Sequence, residues 1–251
     1  LAGAAISRVA LANFPGVRRR QALLHATSDL TVLEDYAHHP AEIRALLGSL
    51  RRRVTAGGRL LVAFQPHRFS RTAQFKVEFA AALAGADSVH LLDVYPAGEA
   101  PIAGGTSADI YAELIRSAPA LPVSYFPGAR REFYRALSRD RRPGDWIVFV
   151  GAGDIDRNAR EWLDLVREEA VAERKWDEYL AALKSAVSVA TRLRREEALA
   201  AKTTMRVGGA ARLYAEPATE ADLQGLLRVA ADLKIEVFVL GRGSNLIVQD
   251  E

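Results

Sequence analysis

The sequence has no cysteine among its 251 residues. That absence excludes disulfide bonds, thiolate metal sites and a cysteine nucleophile. Long apolar runs are also lacking, and no stretch approaches the length of a membrane-spanning helix. Arg8 comes early in the chain, but the uninterrupted apolar core of a signal peptide does not follow it. With 49% hydrophobic and 26% charged residues, the composition is typical of a soluble globular protein, and we expect a cytoplasmic one.

Two phosphate-binding signatures are missing as well. No G-x-x-x-x-G-K-[ST] phosphate loop occurs in the chain, so we expect that it cannot hold ATP by such a loop. Gly151 and Gly153 follow the apolar segment 147–150, but the third glycine of a dinucleotide fingerprint is absent. We therefore interpret this segment as a close backbone turn leading into a helix, and not as a nicotinamide site.

The sequence also lacks a strong excess of one charge, since it contains 34 lysines and arginines and 31 aspartates and glutamates. Arginines nevertheless cluster within four segments, at 18–20, 51–53, 139–142 and 192–195. Acidic residues are interleaved with them and no nucleic-acid motif occurs, so no nucleic-acid partner is expected. The clusters are interpreted as solvated helix faces or as sites for small anions.

Short apolar runs alternate with segments of helical periodicity over much of the chain. The predicted strands lie near 31–36, 59–64, 88–92, 122–126 and 146–150, and the predicted helices near 40–53, 72–84, 107–117 and 129–138. Strands separated by helical segments of about 10–15 residues are typical of βαβ units. The pattern therefore predicts an α/β fold with a Rossmann-like, mainly parallel sheet.

Polar and basic side chains follow the first two predicted strands. They are one carboxylate, three imidazoles and two guanidiniums: Asp35, His38, His39, His67, Arg68 and Arg71. The carboxyl ends of parallel strands are where open α/β sheets bind ligands. Arg68 and Arg71 are three residues apart at a loop-to-helix transition, so both planar forks can face one carboxylate or phosphate. The pattern favours an anionic substrate, although the histidines could instead cap a helix and the arginines pair with surface acids.

Three motifs in this region resemble the C-terminal domain of the Mur ligases, in particular the alanine-adding branch. They are E-D-Y-A-H-H-P at 34–40, F-Q-P-H-R-F-S-R-T at 64–72 and L-D-V-Y-P-A-G-E-A-P-I at 92–102. The motifs stand in the family's order, and the resemblance covers about 1–166. It implies an ATP-dependent ligase of peptidoglycan-precursor synthesis, which joins L-alanine to UDP-N-acetylmuramate through an acyl phosphate. Mg²⁺ is implied only as the companion of ATP, and no metal-ligating residue is predicted.

The resemblance also implies a nucleotide-binding side. The segment F-P-G-V-R-R-R at 14–20 is similar to the end of the family's central ATP-binding domain. Arg19 or Arg20 would then reach the nucleotide phosphates, and Asp35 would accept hydrogen bonds from the ribose hydroxyls.

The catalytic side is likewise assigned by resemblance. Arg68 and Arg71 would hold the alanine carboxylate and offset charge near the acyl phosphate. His38 or His39 would orient the substrates by hydrogen bonding, and His67 would bind substrate.

Residues 156–199 contain neither glycine nor proline and are rich in charge. Apolar residues recur there at helical spacing: Trp162, Leu165, Val166, Tyr179, Leu180, Leu183 and Val187. We predict a helical connector over 167–198, made of more than one helix with a break near 173–177.

After the connector come T-T-M-R-V-G-G at 203–209 and L-G-R-G-S-N-L-I-V at 240–248. The intervening pattern predicts strands at 213–216 and 237–240 and a helix at 219–233. Glycines with a serine and an asparagine after a strand can present backbone N–H groups to a pyrophosphate, although a glycine-rich β-turn would look alike.

The two motifs resemble the start of the flavin-binding domain of UDP-N-acetylenolpyruvoylglucosamine reductases. This resemblance implies that the chain uses FAD and NADPH and that UDP-N-acetylenolpyruvoylglucosamine is a substrate. It implies FAD contacts for six residues: Arg206, Gly208, Gly241, Gly243, Ser244 and Asn245.

The sequence therefore predicts a fusion in four parts. They are the end of a ligase ATP-binding domain (1–20), a ligase C-terminal domain (21–166), the helical connector (167–198) and a partial α+β FAD-binding subdomain (199–251). Neither activity is expected to be complete in these 251 residues. Two alternatives stay open: a catalytically silent module that binds an anionic partner, and a flavoprotein whose first part is structural.

Overall fold

The structure, a computed structural model, describes residues 19–55, 57–204, 206 and 208–241. These residues form two compact units, divided between Val166 and Arg167. The predicted FAD contacts at Gly243, Ser244 and Asn245 lie outside the described residues. Within the described ranges, no helix is long and apolar enough to cross a membrane.

Strands and helices alternate in the first unit. Its described residues contain six strands: β1 (Ala22–Ala26), β2 (Leu30–Asp35), β3 (Leu60–Phe64), β4 (Ser88–Leu91), β5 (Val123–Tyr125) and β6 (Asp145–Val150). The helices between them are α1 (Pro40–Arg51), α2 (Phe69–Leu83), α3 (Ser107–Ser117) and α4 (Arg130–Asp140). A longer helix, α5 (Ile155–Ala186), follows β6. Each predicted strand and helix between 31 and 150 is present within a few residues of its expected bounds.

The six strands form one sheet in the order β1-β2-β6-β3-β4-β5. All neighbours pair in parallel except β1, which runs antiparallel to β2 at the edge. The predicted mainly parallel sheet is therefore confirmed. The sequence pattern does not predict β1, because this half-exposed edge strand carries no continuous apolar run. Since β6 inserts between β2 and β3, the carboxyl ends of these three strands meet at one crevice.

Apolar side chains fill both faces of the sheet. Helices α1, α2 and α3 cover one face, where Leu47, Phe79 and Leu114 pack against the strands. Helix α4 and the first part of α5 cover the other face through Phe133 and Trp162. Both faces of the sheet are buried, which explains why the central strands appear as continuous apolar runs in the sequence.

The second unit is a small α+β arrangement. An antiparallel pair, β7 (Arg192–Ala198) and β8 (Ala210–Glu216), is followed by α6 (Glu220–Asp232). Its core contains Tyr179, Leu183, Leu226 and Ala230. The predicted strand at 213–216 lies within β8, and the predicted helix at 219–233 corresponds to α6.

Two predictions about this region need correction. Helix α5 runs through 173–177 without a break, and it ends at Ala186. Residues 192–198 are not helical, because their backbone pairs with β8, a partner that local helical propensity cannot reveal. The expected strand at 237–240 is not paired with any strand among the described residues, and the side chains of Val237, Phe238 and Val239 are exposed.

Candidate functional site

Side chains from three loops converge at the crevice beyond β2, β6 and β3. The ring centroids of His38, which follows β2, and His67, which follows β3, are 5.9 Å apart. His67 in turn stacks on Tyr95, with centroids 5.6 Å apart and planes only 10° apart. The structure thus brings together the two predicted clusters, and it adds the loop after β4.

Arg68 and Arg71 place two positive charges at the start of α2. Arg68 is exposed and is the N-cap residue of α2. The Arg71 guanidinium donates only to neutral acceptors, the Nδ1 atom and the carbonyl oxygen of His67, both at 3.4 Å. Among the described residues, neither guanidinium forms an ion pair with a carboxylate. The hydrogen bonds from Ser70, with the charge of Arg68, lower the pKa of the Glu99 carboxyl, so this carboxylate lies close enough to feel the Arg68 charge. Two guanidiniums at a strand end that form no ion pair can attract an anion.

His67 is held in its neutral form. Burial lowers the pKa of His67, and the charges of Arg71, His38 and Arg68 lower it further. Because the Arg71 guanidinium donates towards Nδ1, the neutral ring carries its proton on Nε2. His67 can therefore offer one N–H to a ligand without repelling the neighbouring guanidiniums.

The two adjacent histidines, His38 and His39, form different hydrogen bonds. His38 Nδ1 lies 2.9 Å from the Tyr36 carbonyl oxygen, to which it donates, so its Nε2 is an acceptor when the ring is neutral. His39 is the N-cap of α1, and its Nδ1 accepts a hydrogen bond from the Ala41 N–H at 3.3 Å. For His39 the alternative of a helix-capping histidine therefore holds. Of the two, His38 is the better placed to contact a ligand.

Asp35 lies at the edge of a cleft of about 520 Å³ beside β2. Its buried carboxylate accepts hydrogen bonds from the backbone N–H groups of Gln21 at 2.8 Å and Ala37 at 2.7 Å. Arg20, with 47% of its side chain exposed, approaches the carboxylate to 4.0 Å. The cleft is lined by Arg20, Gln21, Asp35, Ala37, Glu42, Ala45 and Leu46.

Arg19 and Arg20 differ in their surroundings. The Arg19 guanidinium donates to the carbonyl oxygens of Gly151 and Gly153, both at 2.9 Å, and lies 4.9 Å from the Tyr36 ring centroid. It is thus used to hold the glycine turn after β6. Arg20 keeps its guanidinium at the cleft. Its Nη1 lies 4.0 Å from Asp35 Oδ1 and 3.8 Å from Glu42 Oε1, so Arg20 is held at the cleft by ion pairs and not by hydrogen bonds to the backbone.

Comparison with known proteins identifies the first unit. The family described as Mur ligase, glutamate ligase domain, matches residues 19–153, which is more than half of the chain. The chain belongs to the Mur ligase family. The matched residues include β1 to β6 and the whole crevice described above.

Two relatives in this family are both UDP-N-acetylmuramate–L-alanine ligases. The UDP-N-acetylmuramate–L-alanine ligase of Cutibacterium acnes is 44% identical over 145 residues, covering 58% of this chain and 30% of the relative. The protein of the same name from Mycolicibacterium vanbaalenii is 44% identical over 162 residues, covering 64% of this chain and 33% of the relative. This Mur ligase chain therefore spans about a third of the length of the curated relatives it matches.

A solved structure agrees with this assignment. The crystal structure of UDP-N-acetylmuramate–alanine ligase from Thermotoga maritima superposes with a TM-score of 0.52 at 28% sequence identity. The match covers 64% of this chain and 33% of that one. The Mur ligase C-terminal fold expected from the motifs is thus confirmed for the first unit.

The predicted FAD contacts are only partly described. Arg206 and Gly208 follow the 3₁₀ turn Leu199–Lys202 and have positive φ angles of 52° and 130°. Gly241 has open space where a Cβ would lie. None of the comparisons above covers this Mur ligase chain beyond its first two thirds. The flavin role of these residues therefore stays a prediction.

Three residues of the crevice were missed by the sequence reasoning. Tyr95 and Glu99 lie in the third quoted motif, but no side-chain role had been assigned to them. Gln65 is buried and donates its amide N–H to Asp154 at 2.7 Å. The signal for Tyr95 and Glu99 was their position after β4, a strand adjacent to β3 in the sheet.

In the described residues, no group of three or more histidines and acids is arranged as a metal site.

Proposed function

We propose that this chain contributes the C-terminal domain of an ATP-dependent UDP-N-acetylmuramate–L-alanine ligase, acting in the cytoplasm in peptidoglycan-precursor synthesis. The similarity to UDP-N-acetylmuramate–L-alanine ligases supports this proposal. The observation that carries it is the pair Arg68 and Arg71 beside His67, because neither guanidinium forms an ion pair with a carboxylate of the described residues. Such a pair suits the carboxylate of an amino acid substrate.

The nucleotide would bind at the cleft beside Asp35. The Asp35 oxygens accept two backbone hydrogen bonds, which fixes the carboxylate and leaves lone pairs for ribose hydroxyls. Arg20 would contact the phosphates, and Mg²⁺ would enter with ATP. Arg19 would act on this side only through the glycine turn that it holds.

The amino acid would bind at the arginine pair. ATP would transfer its γ-phosphoryl group to the lactyl carboxylate of UDP-N-acetylmuramate. The uncharged amine of L-alanine then attacks the carbonyl carbon of the acyl phosphate, the nitrogen loses a proton, and phosphate leaves as the amide forms. Arg68 and Arg71 would hold the alanine carboxylate and stabilise the charge on the departing phosphate. His38 and His67 would orient the reactants.

The test is alanine-dependent phosphate release by the full-length protein that carries this chain. Arg68→Ala and Arg71→Ala should each lower kcat/KM for L-alanine by about 100-fold or more, as removal of transition-state charge stabilisation does elsewhere. Arg44→Ala removes an exposed arginine of α1 and is the matched control. Unchanged turnover in both crevice variants would refute the proposal. The silent anion-binding module would then be the better interpretation.

For the second unit we propose the start of an FAD-binding domain, fused to the ligase part, with the boundaries 167–198 for the connector and 199–251 for the flavin part. The support is the pair of motifs at 203–209 and 240–248. The corresponding partners would be NADPH and UDP-N-acetylenolpyruvoylglucosamine. Titration with FAD, followed by flavin fluorescence, tests the proposal, and Asn245→Ala should weaken binding at least tenfold, on the order of one lost hydrogen bond. No binding by the unaltered protein would refute it.

A further inference from the structure

The backbone of Arg68 is held in an unusual conformation. Its φ is 73° and its ψ is 133°, a combination that residues other than glycine rarely adopt. The Arg68 N–H donates to the Tyr95 carbonyl oxygen at 2.9 Å. The Arg68 carbonyl oxygen accepts from the Thr72 N–H at 3.1 Å and from the Thr72 hydroxyl at 2.9 Å. Its neighbours therefore over-determine a conformation that the residue alone would not keep.

A carboxylate from the loop after β4 closes the same turn. Glu99 Oε2 accepts the Ser70 N–H at 2.9 Å, and its Oε1 accepts the Ser70 hydroxyl at 2.7 Å. The Ser70 N–H is one of the first-turn donors of α2 that have no partner within the helix. Glu99 thus supplies the cap that Arg68, the N-cap residue, does not provide with its own side chain.

The loop reaches this position through a left-handed turn. Ala97 and Gly98 have φ angles of 49° and 85°, and the Glu99 N–H donates to the Pro96 carbonyl oxygen at 3.0 Å. Tyr95 donates its own N–H to the Pro66 carbonyl oxygen at 2.8 Å. Residues 95–99 therefore form hydrogen bonds with the chain both before and after Arg68.

We infer that Glu99 is a positioning residue that fixes the Arg68–Arg71 pair for an anionic carboxylate by capping the first turn of α2. The inference rests on the proposed function for the identity of the anion. Both carboxylate oxygens are used on Ser70, which lies between the two arginines in the sequence. A guanidinium binds a carboxylate through two parallel N–H groups only within a narrow range of directions. Loss of the cap therefore weakens binding, although no group that touches the ligand is removed.

The first measurement is amide hydrogen exchange, which does not depend on ligase activity. In Glu99→Ala, exchange of the Ser70 amide, which donates to Glu99, and of the Thr72 amide, which donates to the Arg68 carbonyl oxygen, should accelerate by about five- to tenfold, the factor that corresponds to one lost capping interaction. Asp109→Ala is the matched control, because Asp109 caps α3 through the Thr106 N–H at 2.9 Å and the Thr106 hydroxyl at 2.6 Å. Asp109→Ala should leave the Ser70 and Thr72 amides unchanged. Equal exchange in the unaltered protein and in Glu99→Ala would overturn the inference.

The second measurement separates positioning from general loosening. Glu99→Ala should raise the KM for L-alanine about five- to tenfold and leave the KM for ATP within about twofold, since only the arginine turn is disturbed. Glu99→Gln retains an acceptor for the Ser70 N–H and should restore most of the alanine KM. Asp109→Ala should change neither constant.

The outcomes are distinguishable. Faster exchange with an unchanged alanine KM would overturn the inference, as would a Glu99→Gln variant as impaired as Glu99→Ala, because a charge effect would then be at work. If the unaltered full-length protein ligates no alanine, the proposed function fails. The exchange rates of the Ser70 and Thr72 amides then decide by themselves whether Glu99 holds the turn.

Discussion

A substitution of Asp140, at the end of α4, should show how much its side-chain hydrogen bonds contribute to the free energy of unfolding. Its carboxylate accepts hydrogen bonds from Ser88 Oγ at 2.6 Å, from His90 Nε2 at 3.0 Å and from Arg59 Nη1 at 3.0 Å. Arg59 also pairs with the buried Asp145 at 2.7 Å. The hydrogen bond from His90, followed by those from Ser88 and Arg59, holds the pKa of the Asp140 carboxyl well below its usual range.

The expected loss follows from these contacts. A hydrogen bond to a charged group contributes about 1.5–3 kcal/mol, and removing one partner of a buried ion pair costs about 3–5 kcal/mol. Asp140→Asn keeps one acceptor oxygen, and Arg59 keeps Asp145. We therefore expect the free energy of unfolding to fall by about 2–4 kcal/mol. For a unit of this size that corresponds to a Tm lower by roughly 5–15 °C.

The assay is urea unfolding and calorimetry of both proteins at several pH values, with Glu78→Gln, an exposed acid on α2, as the control. Because the folded-state pKa of Asp140 lies below its unfolded value, its contribution is complete above about pH 4 and is lost as the pH falls through the folded-state pKa. Asp140→Asn should therefore be less stable than the unaltered protein at pH 5 and above, and the difference should shrink below about pH 4. A difference under about 0.5 kcal/mol at pH 7, the size of an ordinary surface change, would refute the reasoning.

Two further predictions concern the crevice. A Cβ on Gly153 would lie 2.5 Å from Gln65 Oε1, so Gly153→Ala should lower the free energy of unfolding by about 1–3 kcal/mol in urea titrations, and an unchanged midpoint would contradict the packing. Arg19→Ala should lower the Tm because two hydrogen bonds to backbone carbonyls are lost, whereas Arg20→Ala should leave the unfolding free energy within about 0.5 kcal/mol and weaken ATP binding. Equal Tm changes in the two arginine variants would argue against this division of roles.

Much of the fold was predictable because its physical causes are local. A doubly covered parallel strand is apolar throughout, and the helices between such strands repeat their apolar residues at helical spacing. Helix α1 even shows its start in the sequence, where His39 and Glu42 form a capping box around Pro40 at the first helical position. Pairing between distant segments is different. The charged residues 192–198 become a strand only because β8 provides backbone partners. Residues 237–240, which are apolar, show the reverse case, since they pair with no strand in the described part of the chain.

The site divides in the same way. The motifs determined the family and the strand ends at which Asp35, His38, His67, Arg68 and Arg71 lie, and they predict an anionic ligand. Only the tertiary structure decided which of two adjacent residues faces the crevice. It assigned His39 to a helix cap and Arg19 to the glycine turn, whereas His38 lies beside His67 and Arg20 lies at the cleft beside Asp35.

The physical reason is that a side chain's task depends on which donors and acceptors surround it. Neighbours in the sequence have nearly the same chemistry, so composition and spacing cannot separate them. The loop after β4 makes the same point, since Glu99 acts on Ser70, which lies 29 residues earlier in the chain. The sequence by itself determined which groups are present at the strand ends, and the folded backbone decided which of them are already bound and which remain free for a ligand.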